Sequence, residues 1–386
     1  MKKINGIIAI RRTTPIITTR NIKRKELLNK TVQMLFVLII ACLLLTPIGG
    51  CSNVQTEEYV RYVSFSPDGK KIIFDRRKGD SPDWINVYDL ESGELTAYQP
   101  PSKEEWTMAR YSFDGKYIVF SSIPRGEKYL KLGEMQIAVM TPDGRNVRRI
   151  TNSPGAKIYP SFSHSGKKII FVKAGKIRER GKTPATDYDI YEVDIETGKE
   201  TRLTWFKFFM MSAPYYFPND ETFIFSAESP GAYPDLPDGK LDVIKKRREE
   251  YKSKYKENKI LIMHGGEKTL KPYIELGQYS SRPLLSADGK QLFFQGDGEP
   301  QTRGGWEQFY LYSQDGNHRR ITIQGKSVWS GAVSPDGSLL AVVYNRGIIF
   351  IYRINDGTYK EISLPDKPSK VIVALNERRN SYVGNR

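Results

Sequence analysis

The sequence predicts an all-β fold, a six-bladed β-propeller of four-stranded blades with one helical insertion in blade 4. Three observations predict it. A strand–turn–strand phrase recurs six times, a second strand pair lies between successive copies, and the composition suits short strands joined by tight turns, with 23 Tyr, 17 Phe and 32 Gly in 386 residues. All-β rings of this length close as one unit, so the length does not require two domains.

The six copies of the phrase are SFSPDGKKIIF (64–74), RYSFDGKYIVF (110–120), SFSHSGKKIIF (161–171), YYFPNDETFIF (215–225), LLSADGKQLFF (284–294) and AVSPDGSLLAVVY (332–344). They align without a gap into the second strand. Pro sets φ at the first corner, Asp caps backbone amides and Gly supplies the position of positive φ. The apolar run that follows, such as Ile72-Ile73-Phe74, is that of a strand buried on both faces. The second register holds an apolar strand, an acidic or Gly turn and a strand ending near Thr or Ile, as in INVYDLESGELTAY (85–98), IAVMTPDGRNVRRIT (137–151) and IYEVDIETGKETRLT (190–204). Gly69, Gly115, Gly166, Asp220, Gly289 and Gly337 mark the turns at spacings of 46, 51, 54, 69 and 48 residues, one four-stranded blade per period.

The phrase, its period and its count resemble the TolB-like six-bladed propellers, relatives of the WD-repeat propellers. The resemblance covers residues 61–365 and implies a propeller that binds rather than catalyses. In TolB a smaller α/β domain precedes the propeller, and the short tether of residues 51–60 leaves no room for one here.

Ahead of the repeats, residues 35–48 (LFVLIIACLLLTPI) form an uncharged run of fourteen, short for a membrane span and suited to a signal-peptide core. Half of the net charge of +16 lies before residue 51, where nine basic residues stand against Glu26 alone. That is the basic region a signal peptide carries before its apolar core. The remaining chain is only mildly basic, which argues against a nucleic-acid partner. The run ends Ile48-Gly49-Gly50-Cys51-Ser52, similar to a bacterial lipobox, so residues 1–50 read as a signal peptide and Cys51 as the lipidated N-terminus of the mature protein. An uncleaved anchor ending at an incidental Cys is the alternative. Cys42 falls within the apolar run, which leaves the mature chain without a disulfide or thiolate metal site. By analogy with such lipoproteins, Ser52 in place of Asp points to the outer membrane, facing the periplasm. The lipid on Cys51 is the expected membrane contact, with a protein, peptide or glycan as the further partner.

Alternate connections of an up-and-down sheet share a side, so the short Pro-Asp-Gly and second-register turns lie on one face. The other face carries the connections 75–83, 121–135, 172–187, 226–258 and 295–306, and function is expected there. The longest insertion, 228–258, places Leu241, Ile244, Arg248, Tyr251 and Tyr255 on one helical stripe. Lys245, Lys246 and Arg247 fall outside that stripe, either as a solvated face or as a contact for phosphate headgroups or an acidic partner. At the channel mouth, the residues seven before each turn marker are Tyr62, Met108, Tyr159, Ala213, Arg282 and Ser330, with Trp106, Arg110, Trp205 and Trp329 nearby. Aromatic residues with Arg form a recognition surface. The same residues also serve to fill the taper between blades.

No nucleophile elbow, metalloprotease helix or Gly-rich phosphate loop occurs. His164, His264 and His318 each lie in or beside a turn, an arrangement poorly suited to a three-His metal centre, and no metal or other cofactor is expected. The carboxylate pairs Asp187/Asp189 and Asp297/Glu299, the latter near Trp306, keep a carbohydrate-active hydrolase or lyase as the alternative function. Acidic loop residues facing water explain them equally. Residues 366–386 read as a C-terminal tail.

Overall fold

The structure, a computed structural model, describes residues 58–79, 81–127, 129–177, 185–230, 259–264, 271–273, 280–297, 307–312, 318–322, 328–344 and 347–374. Blade 1 is built from β1 (Glu58–Phe65), β2 (Lys71–Lys78), β3 (Trp84–Asp89) and β4 (Leu95–Gln99). Blade 2 holds β5 (Glu104–Tyr111), β6 (Ile118–Pro124), β7 (Gln136–Met140) and β8 (Arg148–Arg149). Blade 3 follows with β9 (Lys157–Phe162), β10 (Lys168–Ile177), β11 (Ala185–Asp194) and β12 (Glu200–Arg202). The inner strand of blade 4 is split into β13 (Phe208–Met211) and β14 (Tyr215–Tyr216), followed by β15 (Thr222–Pro230), β16 (Lys259–His264) and β17 (Lys271–Pro272). Blade 5 comprises β18 (Ser280–Leu285), β19 (Leu292–Asp297), β20 (Glu307–Tyr312) and β21 (His318–Arg320), and blade 6 β22 (Val328–Val333), β23 (Leu339–Tyr344), β24 (Ile348–Arg353) and β25 (Tyr359–Ile362). The six-bladed propeller expected from the repeat is the observed architecture. β13 also pairs with β11, so blades 3 and 4 share one continuous sheet.

The turn phrase folds as its residues dictate. Ser66 Oγ donates to Asp68 Oδ1 (2.5 Å), Lys70 N donates to the same carboxylate (3.1 Å), and Lys71 N donates to Ser66 Oγ (2.9 Å). Gly69 then takes φ of 70°, open to Gly at little cost. Ser112 with Asp114, Ser286 with Asp288 and Ser334 with Asp336 repeat the arrangement. The hydroxyl of Ser112, the largest cause, holds the Asp114 carboxyl down at about 2.

The Thr that ends the second register has its own task. Thr151, Thr204 and Thr322 each accept the third-strand amide, of Ile137, Ile190 and Phe309, at 2.8–3.0 Å. Each also donates to the residue before that amide: Gln136 (2.7 Å), Asp189 (2.8 Å) and Gln308 (2.7 Å). The outer strand is thereby fixed to its neighbour where the backbone ladder ends.

Two features depart from the sequence expectation. The long connections are shorter than assigned, because the second strands run on to Lys78, Pro124, Ile177, Pro230 and Asp297. In β2 the polar run Asp75-Arg76-Arg77-Lys78 stays paired with residues 61 to 58 of β1, so backbone hydrogen bonding outlasts the apolar pattern. The tail contains a strand as well: β26 (Lys370–Val373) adds in parallel to β4, making a fifth strand on blade 1. The helical insertion, with Lys245, Lys246 and Arg247, lies outside the described residues, as do the signal segment and Cys51.

Candidate site in the central channel

In blades 1 to 5 the inner strand is interrupted seven residues before the turn marker, and in blade 6 one residue earlier, at Trp329. In blades 1, 2, 3 and 5 the ladder with the second strand breaks there. Tyr62, Met108, Tyr159 and Arg282 take φ of 52°, 60°, 55° and 47° at these breaks. Non-glycine residues in this region are uncommon, and each costs on the order of 1 kcal/mol or more. The bulge also removes a backbone amide from the ladder, and a neighbouring blade supplies its acceptor. Met108 N donates to Asp75 (3.0 Å), Arg282 N to Ser226 Oγ (3.1 Å) and Tyr159 N to Met108 Sδ (3.2 Å).

The left-handed turn sends these side chains inward. The rings of Tyr62 from blade 1 and Tyr159 from blade 3 meet edge to face at 5.9 Å, past the intervening blade. The Arg282 guanidinium donates to the carbonyl of Trp329 on blade 6. Burial is the largest cause that pushes the Tyr62 hydroxyl well above its ordinary value, so it stays protonated; Tyr159 adds to the shift, and Arg61 and Arg282 oppose it. A collar of two phenols and a guanidinium results, with the buried Met108 thioether behind it.

The remaining predicted residues separate by depth. Trp106 is fully buried, tilted against Phe120 at 4.5 Å with its indole N–H on Glu104 (3.0 Å). Its register mates are Val60 and Val328, both core residues, and it is removed from the candidate contact surface for that reason. Arg110 lies nearer the turns, its guanidinium 4.4 Å from the Tyr215 ring centroid across the channel. Trp205 sits in the connection from blade 3 to blade 4 beneath Arg202, 5.8 Å away. Trp205 and Trp329 are both half-buried.

Charges that no sequence motif marks gather behind the collar. Arg61 pairs with Asp83, and its guanidinium lies 5.7 Å from the Tyr62 ring. Asp75, with no solvent exposure, accepts from the Thr107 hydroxyl and Met108 N, and burial pushes its carboxyl up to about 7 against the pull of Arg61. At the turn end the chain itself fills the axis. Asp220 accepts His164 N (2.5 Å) and Ser165 N (2.9 Å), His164 Nε2 lies 2.8 Å from Ala287 O, and the His164 ring stacks on Phe113 at 3.9 Å.

Asp189 has a structural occupation. It takes the register of Gln136 and Gln308 and accepts from Arg202 (2.8 Å), Phe206 N (2.8 Å) and Lys207 N (3.1 Å) besides Thr204. Asp187 pairs with Lys176 at 3.2 Å. Glu299 and Trp306 lie outside the described residues. Among the described residues no group of three His, Cys, Asp or Glu is placed to hold a metal ion. Binding through aromatic faces and Arg is the chemistry the collar offers.

The comparisons with known proteins agree with this architecture. TolB from Acinetobacter baumannii superposes with a TM-score of 0.53 at 17% identity, over 85% of this chain and 68% of that one. The chain has the TolB-like propeller fold. An oligogalacturonate lyase in complex with manganese superposes with a TM-score of 0.50 at 15% identity, over 81% of this chain and 78% of that one. The TolB-like fold is therefore shared with an enzyme, and fold alone does not decide between binding and catalysis. An uncharacterized protein of Agrobacterium fabrum is 32% identical over 135 residues, 34% of this chain. That match spans 42% of the relative's own length. No protein-family model matches the chain.

Proposed function

We propose that this chain is a lipoprotein of the cell envelope, anchored through Cys51 in the outer membrane facing the periplasm, whose propeller binds a protein, peptide or glycan partner. The anchoring rests on the apolar run and the Ile-Gly-Gly-Cys junction. The binding rests on one observation: inner-strand residues held at positive φ bring Tyr62, Tyr159 and Arg282 toward the axis, with Met108 buried behind them. Strain of this kind is maintained where surrounding structure over-determines it, commonly at ligand contacts. Tyr and Arg are also the side chains that most often dominate binding energy. Trp205 and Trp329 extend the surface toward the longer connections. The occupied lone pairs of Asp189 remove the Asp187/Asp189 pair from the carbohydrate-active reading.

One experiment tests both parts. The lipoprotein, labelled with a palmitate analogue, is expected to co-purify an envelope partner. Cys51→Ala abolishes the label, whereas Arg282→Ala keeps the label and loses the partner by faster dissociation. Label retained in Cys51→Ala contradicts the anchor, and a partner retained in Arg282→Ala contradicts the collar.

A further inference from the structure

A second site lies away from the channel, between blades 3 and 4 on the side of the short turns. It starts from a break in the repeat. Four residues past each turn marker, the second strand faces an apolar third-strand residue: Ile73 opposite Val87, Val119 opposite Val139, Ile224 opposite Ile262, Phe293 opposite Leu311 and Ala341 opposite Ile351. In blade 3 the partner of Ile170 is Glu192. Beside that carboxylate the blades border an open cleft of about 350 Å³, within the range of sites for small organic groups.

The cleft has an apolar floor and acidic walls. Leu203 and Phe223 line it, and the Tyr216 ring stands edge to face with Phe223 at 6.2 Å. The Tyr216 hydroxyl donates to Glu192 Oε2 (2.7 Å). Lys168 Nζ lies 3.1 Å from the same carboxylate. Asp220 and Glu221 add two further carboxylates, Glu221 paired with His264 at 3.2 Å, so three carboxylates stand against Lys168 and His264 here in a chain whose net charge is +16. Lys168 occupies the position of an incoming cation without neutralising the site.

We infer that this cleft binds an alkyl guanidinium or ammonium group, its stem on Leu203 and Phe223 and its head between Glu192 and the Tyr216 ring. Carboxylates beside aromatic faces select organic cations. The same chemistry occurs in an arginine side chain of a peptide and in a free small amine.

Calorimetric titration of the full chain with acetyl-arginine amide and with agmatine tests the assignment. Saturable binding of at least one probe is expected. It should be at least tenfold weaker in Glu192→Val, which restores the residue of blades 1 and 2, and tighter in Lys168→Met, which removes the resident cation. Acetyl-arginine amide binding more tightly identifies a peptide side chain as the source, and agmatine a free amine. Glu192→Val should unfold at the same or a higher temperature, because it returns an apolar residue to an inter-blade position. Absence of saturable binding, equal binding in Glu192→Val, or a lowered unfolding temperature in that variant overturns the inference. Glu192 and Lys168 line the cleft and not the channel, so the effects of their variants separate this site from the collar.

Discussion

Asp75→Asn is expected to raise the stability of the folded chain at pH 8 by a few kcal/mol and to flatten its pH dependence between about 4 and 7. Burial lifts the Asp75 carboxyl from 3.8 to about 7. Over that window the folded chain holds a proton that the unfolded chain releases. Stability therefore falls as the pH rises through the window, by up to about 4 kcal/mol in total. Asn carries no such proton, and its carbonyl oxygen still accepts Met108 N–H. Asp75→Leu removes that acceptor and strands the amide, which costs about 1–3 kcal/mol. Denaturant midpoints at pH 5 and pH 8 check both statements. Parallel losses in wild type and Asp75→Asn between the two pH values contradict the account.

Deleting residues 366–386 is expected to lower the thermal midpoint by about 10 °C, at ~2–4 °C per kcal/mol for a domain of this size. β26 is the clasp that carries the chain from blade 6 back to blade 1. Ser369 N donates to Leu95 O (2.8 Å) and Ala374 N to Gln99 O (3.1 Å) at the ends of the parallel pairing. Ile372 fits against Tyr98 and the second-register turn of blade 2. A Cβ on Gly144, where φ is 77°, would lie 2.6 Å from Ile372 Cγ2. Loss of the strand removes this contact and exposes the edge of β4, a template for aggregation. A truncated chain that melts within about 1 °C of wild type contradicts the clasp.

The blades were legible because Ser, Asp and Gly recur at fixed offsets and each has a local reason to be there. Fixed offsets also placed Tyr62, Tyr159 and Arg282 at one level of the axis. The same counting, applied to Trp106, sets it beside Val60 and Val328 and marks it as core, a signal that its aromatic character concealed. Asp75 lay hidden at the end of an apolar run, where a charge ordinarily ends a strand. Its role depends on a bulge in the next blade, and nothing local to Asp75 encodes that bulge. Lys370–Val373 carries no turn residues and no repeat partner, so only the free edge of β4, far away in sequence, makes it a strand. Glu192 was visible as a deviation once the third strands were aligned by register rather than by turn.

The claim that the collar forms a binding surface is tested most directly by photo-crosslinking in living cells, with a photoreactive amino acid at Trp205, Trp329 or Tyr359. Trp205 and Trp329 stand at the channel mouth, and Tyr359 is exposed on the outer strand of blade 6. The account predicts discrete adducts from positions 205 and 329, none from 359, and loss of the 329 adduct when Arg282→Ala is combined with it. Adducts from position 359 alone, or a 329 adduct unaffected by Arg282→Ala, would contradict it.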